Sequence, residues 1–145
     1  MKRPSLTNRT PATFAVGEKA SFTRTLTEAD SAMFIGATWD VNPFHTDDAF
    51  VEQTKFGKRI VPGLLTASLL THIGGLWNFL ATDMTFSFKA PVYMGDTITA
   101  VAEIVELDQA KRWCRLHGTI TNRDGEVVLT AVIDGYPGKF EDVKT

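Results

Sequence analysis

The densest run of proton-moving groups in the chain is Asp40-Val41-Asn42-Pro43-Phe44-His45, which gathers a carboxylate, an amide and an imidazole. Imidazole exchanges protons near neutral pH, and a desolvated carboxylate can be tuned toward the same range, so Asp40 and His45 form a candidate acid/base pair. Pro43 fixes its own φ and pushes Asn42 out of the α region, which stiffens the loop that carries both groups. The same residues also suit a plain turn. Asp and Asn before Pro are common turn formers, and His45 would then be a satisfied surface side chain. Spacing alone does not bring two side chains together.

Pro62-Gly63 is the second candidate. Pro suits the first turn of a helix, where its missing N–H costs nothing, and the following N–H groups have no intrahelical partner. Such donors could polarise a carbonyl as charge develops on its oxygen, although Pro and Gly also mark an ordinary tight helix start. His72 reads as a hydrogen-bonded core histidine, and His117 as a residue on the polar face of a strand. Trp77 and Phe79 fit either an acyl pocket or plain core. Lys89, Lys111, Arg112 and Arg115 could meet the phosphates of a carrier or be scattered surface charge. The three histidines lack metal-ligand spacing, and no phosphate loop, dinucleotide fingerprint or nucleophile elbow occurs.

Composition narrows the classes. The chain has 145 residues, a formal net charge of −2 and one cysteine. It has no basic stripe for nucleic acid, and it can form neither an intramolecular disulfide nor a cysteine-based zinc site. A single cysteine fits a reducing cytoplasm, and a cytoplasmic location is expected. No run of about 20 apolar residues exists, so no membrane span is expected. Residues 1–14 are basic and interrupted by Pro4 and Pro11, which predicts a loose N-terminal arm on a single domain covering 1–145.

The elements that must hold these residues divide into a helical first half and a stranded second half. Thr27-Glu28-Ala29-Asp30 has the form of a helix start, with Ala29, Met33 and Phe34 as its apolar stripe. Asp40 to His45 reads as loop, and Thr46-Asp47-Asp48 begins a second helix. From Val61 to Leu80 the apolar residues wrap nearly all round, which predicts a helix buried on every side and broken at Gly74-Gly75. Strands follow with period two: Thr82–Lys89, Thr97–Leu107, Trp113–Thr121 and Val127–Ile133, the last pair joined by the hairpin signal Asn122-Arg123-Asp124-Gly125. Short connections predict an antiparallel meander, and the whole an α+β arrangement of one curved sheet around a buried helix.

The run Asp40 to Asp47 with Ala49-Phe50 resembles the (R)-specific enoyl-CoA hydratases of the MaoC-like dehydratase family. Phe56 to Ser68 is similar to the segment that opens their central helix, and Phe86 to Val92 with Gly95-Asp96 to their next two strands. The likeness spans residues 17–135. It implies a single hot-dog fold, acting as a homodimer or dimer-based assembly with the acyl tunnel near the subunit interface. It implies addition of water to trans-2-enoyl-CoA to give (R)-3-hydroxyacyl-CoA, or the reverse dehydration, with no cofactor or metal. Asp40 and His45 would be the catalytic dyad, the backbone N–H of Gly63 would polarise the thioester carbonyl, Asn42 would brace the loop, and Thr71 would support. One departure stands out: many relatives have His where this chain has Pro62, which cannot donate.

The resemblance leaves alternatives open: a 3-hydroxyacyl-ACP dehydratase, a hot-dog acyl-CoA thioesterase, or a non-catalytic acyl-thioester binding module. Thioesterases of this architecture usually carry an acidic residue on the central helix. Leu64 to His72 holds no Asp or Glu.

Overall fold

The computed structural model describes residues 14–137. The expected N-terminal arm lies outside these residues except for Phe14, which is buried and packs edge-on to Trp77 at 5.9 Å. The elements in chain order are β1 (Lys19–Thr25), α1 (Glu28–Thr38), α2 (Pro43–Thr46), α3 (Asp48–Glu52), α4 (Gly63–Ala67), α5 (Leu69–Leu76), β2 (Phe79–Phe88), β3 (Thr97–Asp108), β4 (Trp113–Asn122) and β5 (Val127–Pro137). All strands belong to one antiparallel sheet in the order β1-β3-β4-β5-β2.

That order corrects two expectations. The first half is not purely helical, because β1 pairs with β3 along its whole length, Lys19 opposite Glu103 through Thr25 opposite Thr97. The meander holds only for β3-β4-β5. Strand β2 pairs with β5 at the far edge, so the chain crosses the sheet between β2 and β3.

The α4/α5 helix lies against the inner sheet face, where Ile98, Ala100, Ala102 and Ile104 of β3 alternate inward with Cys114, Leu116 and Ile120 of β4. From β5, Leu129, Ala131 and Ile133 complete that face, and Ala67, Leu70 and Ile73 of the helix join them in a single cluster. Full burial of a side chain of this size stabilises by about 1.5–3 kcal/mol, so this strip carries the fold. Gly118 of β4 lets the helix approach: a methyl group there would stand 2.8 Å from Leu70 Cδ1.

The helix is not buried on every side. Leu64 is 58% and Leu76 43% exposed, and Thr71 and His72 also face outward. Nor does it break at Gly74-Gly75. Both lie inside α5, the irregularity falls at Ser68, and the helix ends at Trp77, two residues before β2 begins. His72 is not a hydrogen-bonded core residue; its exposed ring stacks on Phe22 of β1, with centroids 3.9 Å apart. His117 sits on the exposed outer face as expected.

The capping reading of α1 holds. The Thr27 hydroxyl accepts from the Asp30 N–H, and the Asp30 carboxylate accepts from the Thr27 N–H at 2.9 Å. Its buried side differs from the predicted stripe: Asp30 and Ser31 face inward, whereas Met33 is 67% exposed. Among the described residues no helix is long and apolar enough to cross a membrane.

Candidate active site

Helix α1 ends at Trp39, whose φ of 59° is left-handed, and this reversal turns the chain into the loop carrying Asp40. Asn42 then has the extended backbone that Pro43 demands, with ψ of 129°. Its side-chain oxygen accepts from the Phe44 N–H at 3.2 Å and so caps a single helical turn, α2, where loop was expected. Pro43 occupies the first turn without loss, and His45 follows two residues on. Phe44 anchors the turn, its ring edge-on to Phe50 at 5.1 Å and to Phe56 at 5.5 Å.

His45 is 8% exposed and fixed by one interaction, between Nδ1 and the carbonyl oxygen of Ile60 at 2.8 Å. A carbonyl only accepts, so Nδ1 carries the hydrogen, and in the neutral ring Nε2 is left with its lone pair. Nε2 faces Asp40 Oδ2 at 3.7 Å. That gap is too long for a direct hydrogen bond, and an oxygen atom placed off the line between the two could touch both within about 3 Å. The Asp40 side chain remains 44% exposed.

The segment that holds His45 also leads to Gly63. The Ile60 N–H donates to Phe44 O at 3.1 Å, Ile60 bridges to Tyr93, and the Val61 N–H donates to Val92 O at 2.7 Å. Two residues later α4 begins at Gly63, with Pro62 at the cap and no side-chain capping bond. The short, doubly tethered stretch that holds the His45 ring therefore runs directly into Gly63. His45 and Gly63 both line a cavity of about 360 Å³, with Phe56, Ile60, Thr66 and Phe88 among its walls and Lys89 on its border. Asp40 is not among the lining residues.

Of the other residues singled out from sequence, Asn42 lies in the loop, its N–H 3.4 Å from Asp40 Oδ1. Thr71 is elsewhere. Its hydroxyl donates to Ser68 O at 2.5 Å, and it lines a separate cleft of about 310 Å³ with Phe22, Arg24 and His72. The buried hydroxyl residue at the His45–Gly63 cavity is Thr66, which the sequence reading did not single out. It lies one turn beyond Gly63 on the same helix face, a relation that points to this cavity only once Gly63 is seen to line it. Trp77 is core and absent from this cavity. Lys111 lines a groove of about 500 Å³ with Trp113 and Tyr136, a site separate from the His45 cavity, and Arg115 is held by Asp134 and Glu106. Among the described residues, no group of three or more His, Cys, Asp or Glu side chains could hold a metal.

The family model described as MaoC like domain matches residues 12–127. An (R)-specific enoyl-CoA hydratase from Rhodospirillum rubrum is 32% identical, the match covering 78% of this chain and 81% of that protein. An (R)-specific enoyl-CoA hydratase from Aeromonas caviae is 34% identical, over 79% of this chain and 89% of its own. The solved structure of an (R)-hydratase from A. caviae involved in PHA biosynthesis superimposes with a TM-score of 0.82 at 31% identity, covering 86% of this chain and 98% of that one.

Proposed function

The chain belongs to the MaoC-like domain family, and on that footing we propose that it adds water to trans-2-enoyl-CoA to give (R)-3-hydroxyacyl-CoA, or runs the reverse dehydration. The observation that carries this reading is the His45 ring, its Nδ1 occupied by Ile60 O and its Nε2 turned toward the Asp40 carboxylate. One water between these groups has an acceptor on each side. His45 Nε2 takes a proton from it as the water oxygen bonds to C3, while Asp40 orients the water through its second hydrogen. The electron pair of the double bond moves toward the thioester carbonyl, whose oxygen rests on the Gly63 N–H. The proton held on Nε2 then passes to C2. The water is consumed whole, and the dyad returns to its starting state.

Exposed apolar side chains support the homodimer that the family resemblance implies. Leu64 on the helix with Met84 and Phe88 on the inner face of edge strand β2 leave apolar surface uncovered beside unpaired backbone groups. This supports a homodimer that joins two copies along β2. If so, Met84→Lys gives monomer by light scattering where the wild type gives dimer, and a wild-type monomer sinks the assignment.

The activity test is a spectrophotometric assay with crotonyl-CoA and a longer trans-2-enoyl-CoA, with thiol release followed in parallel. Loss of enoyl absorbance without thiol supports the hydratase. Thiol release instead marks a thioesterase, turnover only of acyl-carrier-protein thioesters marks the carrier-protein dehydratase, and binding without turnover marks an acyl-binding module.

A further inference from the structure

The ring of Phe88 packs against Gly63 on the side where a side chain would begin. A methyl group at Gly63 would stand 2.8 Å from Phe88 Cε1, 3.1 Å from Cδ1 and 3.3 Å from Cζ. The ring therefore occupies the space that a side chain at position 63 would need. The ring comes from a different element, the last residue of β2, and its 54% exposure in the single chain is part of the apolar surface that the proposed dimer would cover. It forms a wall of the cavity that also holds His45.

Resting on the hydratase reading, we propose that Phe88 determines substrate specificity at the reacting carbons, admitting straight-chain enoyl thioesters and excluding those with a methyl branch at C2. The geometry gives the reason. An acyl group that reaches His45 with its carbonyl at Gly63 has C1 about 4 Å from the Gly63 nitrogen and C2 one bond beyond. Because Phe88 touches Gly63 and walls the same cavity as His45, we place its ring beside C2 in this pose. A hydrogen on C2 fits beside it. A methyl group there meets the ring or pulls the carbonyl away from its donor. The cavity, at about 360 Å³, is near the small end of the range for ligand pockets. A single methyl group in a tight apolar site changes specificity by about 10–200-fold.

The experiment compares kcat/KM for trans-2-butenoyl-CoA and trans-2-methyl-2-butenoyl-CoA in the wild type, Phe88→Ala and Phe88→Leu, with oligomeric state checked for each. The wild type is expected to favour the unbranched thioester by at least about tenfold. Phe88→Ala is expected to bring the ratio most of the way to one, with Phe88→Leu between. Gly63→Ala supplies a second arm. Its added methyl competes with the ring, so it lowers turnover of the unbranched thioester, and Gly63→Ala/Phe88→Ala restores most of the loss. A wild type that accepts both thioesters equally overturns the proposal. So does a parallel fall in both rates with an unchanged ratio, or a double variant no better than Gly63→Ala. In all three cases turnover of the unbranched substrate leaves the hydratase reading standing. A wild type that hydrates neither thioester overturns the hydratase reading itself, and this proposal with it.

Discussion

At the scale of single residues, the site depends on which nitrogen of His45 is occupied. Because Ile60 O binds Nδ1, only Nε2 is free for chemistry, and the Asp40 carboxylate is the charged group facing it. Asp40→Asn keeps the shape and removes the charge, and His45→Ala removes the proton carrier. Each is expected to lower kcat toward crotonyl-CoA by about 10²–10⁴ while circular dichroism stays native. Near wild-type turnover in either folded variant removes that residue from the mechanism. That these two side chains approach each other was legible as far as both lie in one short run that proline stiffens; their 3.7 Å separation depends on the fold. Thr66 and Thr71 show where legibility stops. They stand on either side of the irregularity at Ser68 and line different cavities, Thr66 that of His45 and Thr71 the cleft beside Phe22. Which one lines the His45 cavity is decided by how α4 and α5 lie on the sheet, and no local pattern records that.

Among the elements, α1 matters because its left-handed end at Trp39 presents Asp40. Its other end is held by the reciprocal bonds of Thr27 and Asp30. Thr27→Ala is expected to cost about 1 kcal/mol, read as a lower denaturant midpoint at unchanged slope; no shift would mean that Asp30 holds the turn alone. The Thr27 cap and the Asn122–Gly125 hairpin could be read from sequence, since each is a local bonding pattern; Asn122 Oδ1 does accept from the Asp124 and Glu126 N–H groups. Strand β1 could not. Its inward positions are Ala20, Phe22 and Arg24, so its alternation is weak, and it is a strand chiefly because β3 offers an edge. The outward side of the central helix was equally hidden. Leu64 and Leu76 look like core by type, and only the packed chain shows the sheet covering one side of them.

For the whole molecule, the outer sheet face is tied by charge. Arg115 donates through Nε and a terminal nitrogen to both carboxylate oxygens of Asp134, at 2.7 and 2.8 Å, and reaches Glu106 at 3.2 Å. The Arg115 hydrogen bonds hold the Asp134 carboxyl below its ordinary value of 3.8. Asp30 is lowered likewise, chiefly by the backbone N–H of Thr27. A carboxyl whose folded value is depressed stabilises the fold above its unfolded value, and that contribution is lost as pH falls through the folded value. The melting temperature should therefore drop steeply below about pH 4, and less steeply in Asp134→Asn and Asp30→Asn. Parallel curves for wild type and variants would show that these pairs are not what acid breaks.

Cys114 has a use outside any of these roles. It is the sole cysteine, lies on the inner face of β4 at 2% exposure, and desolvation with the nearby Asp134 charge raises its thiol to about 11. The thiolate is the nucleophile that attacks thiol reagents, so at pH 8 the folded chain should be silent toward them and the unfolded chain should give one equivalent. The labelling rate then clocks how often the sheet opens from its helix, without any introduced probe. Rapid labelling of the native protein would show that β4 opens far more readily than its packing implies.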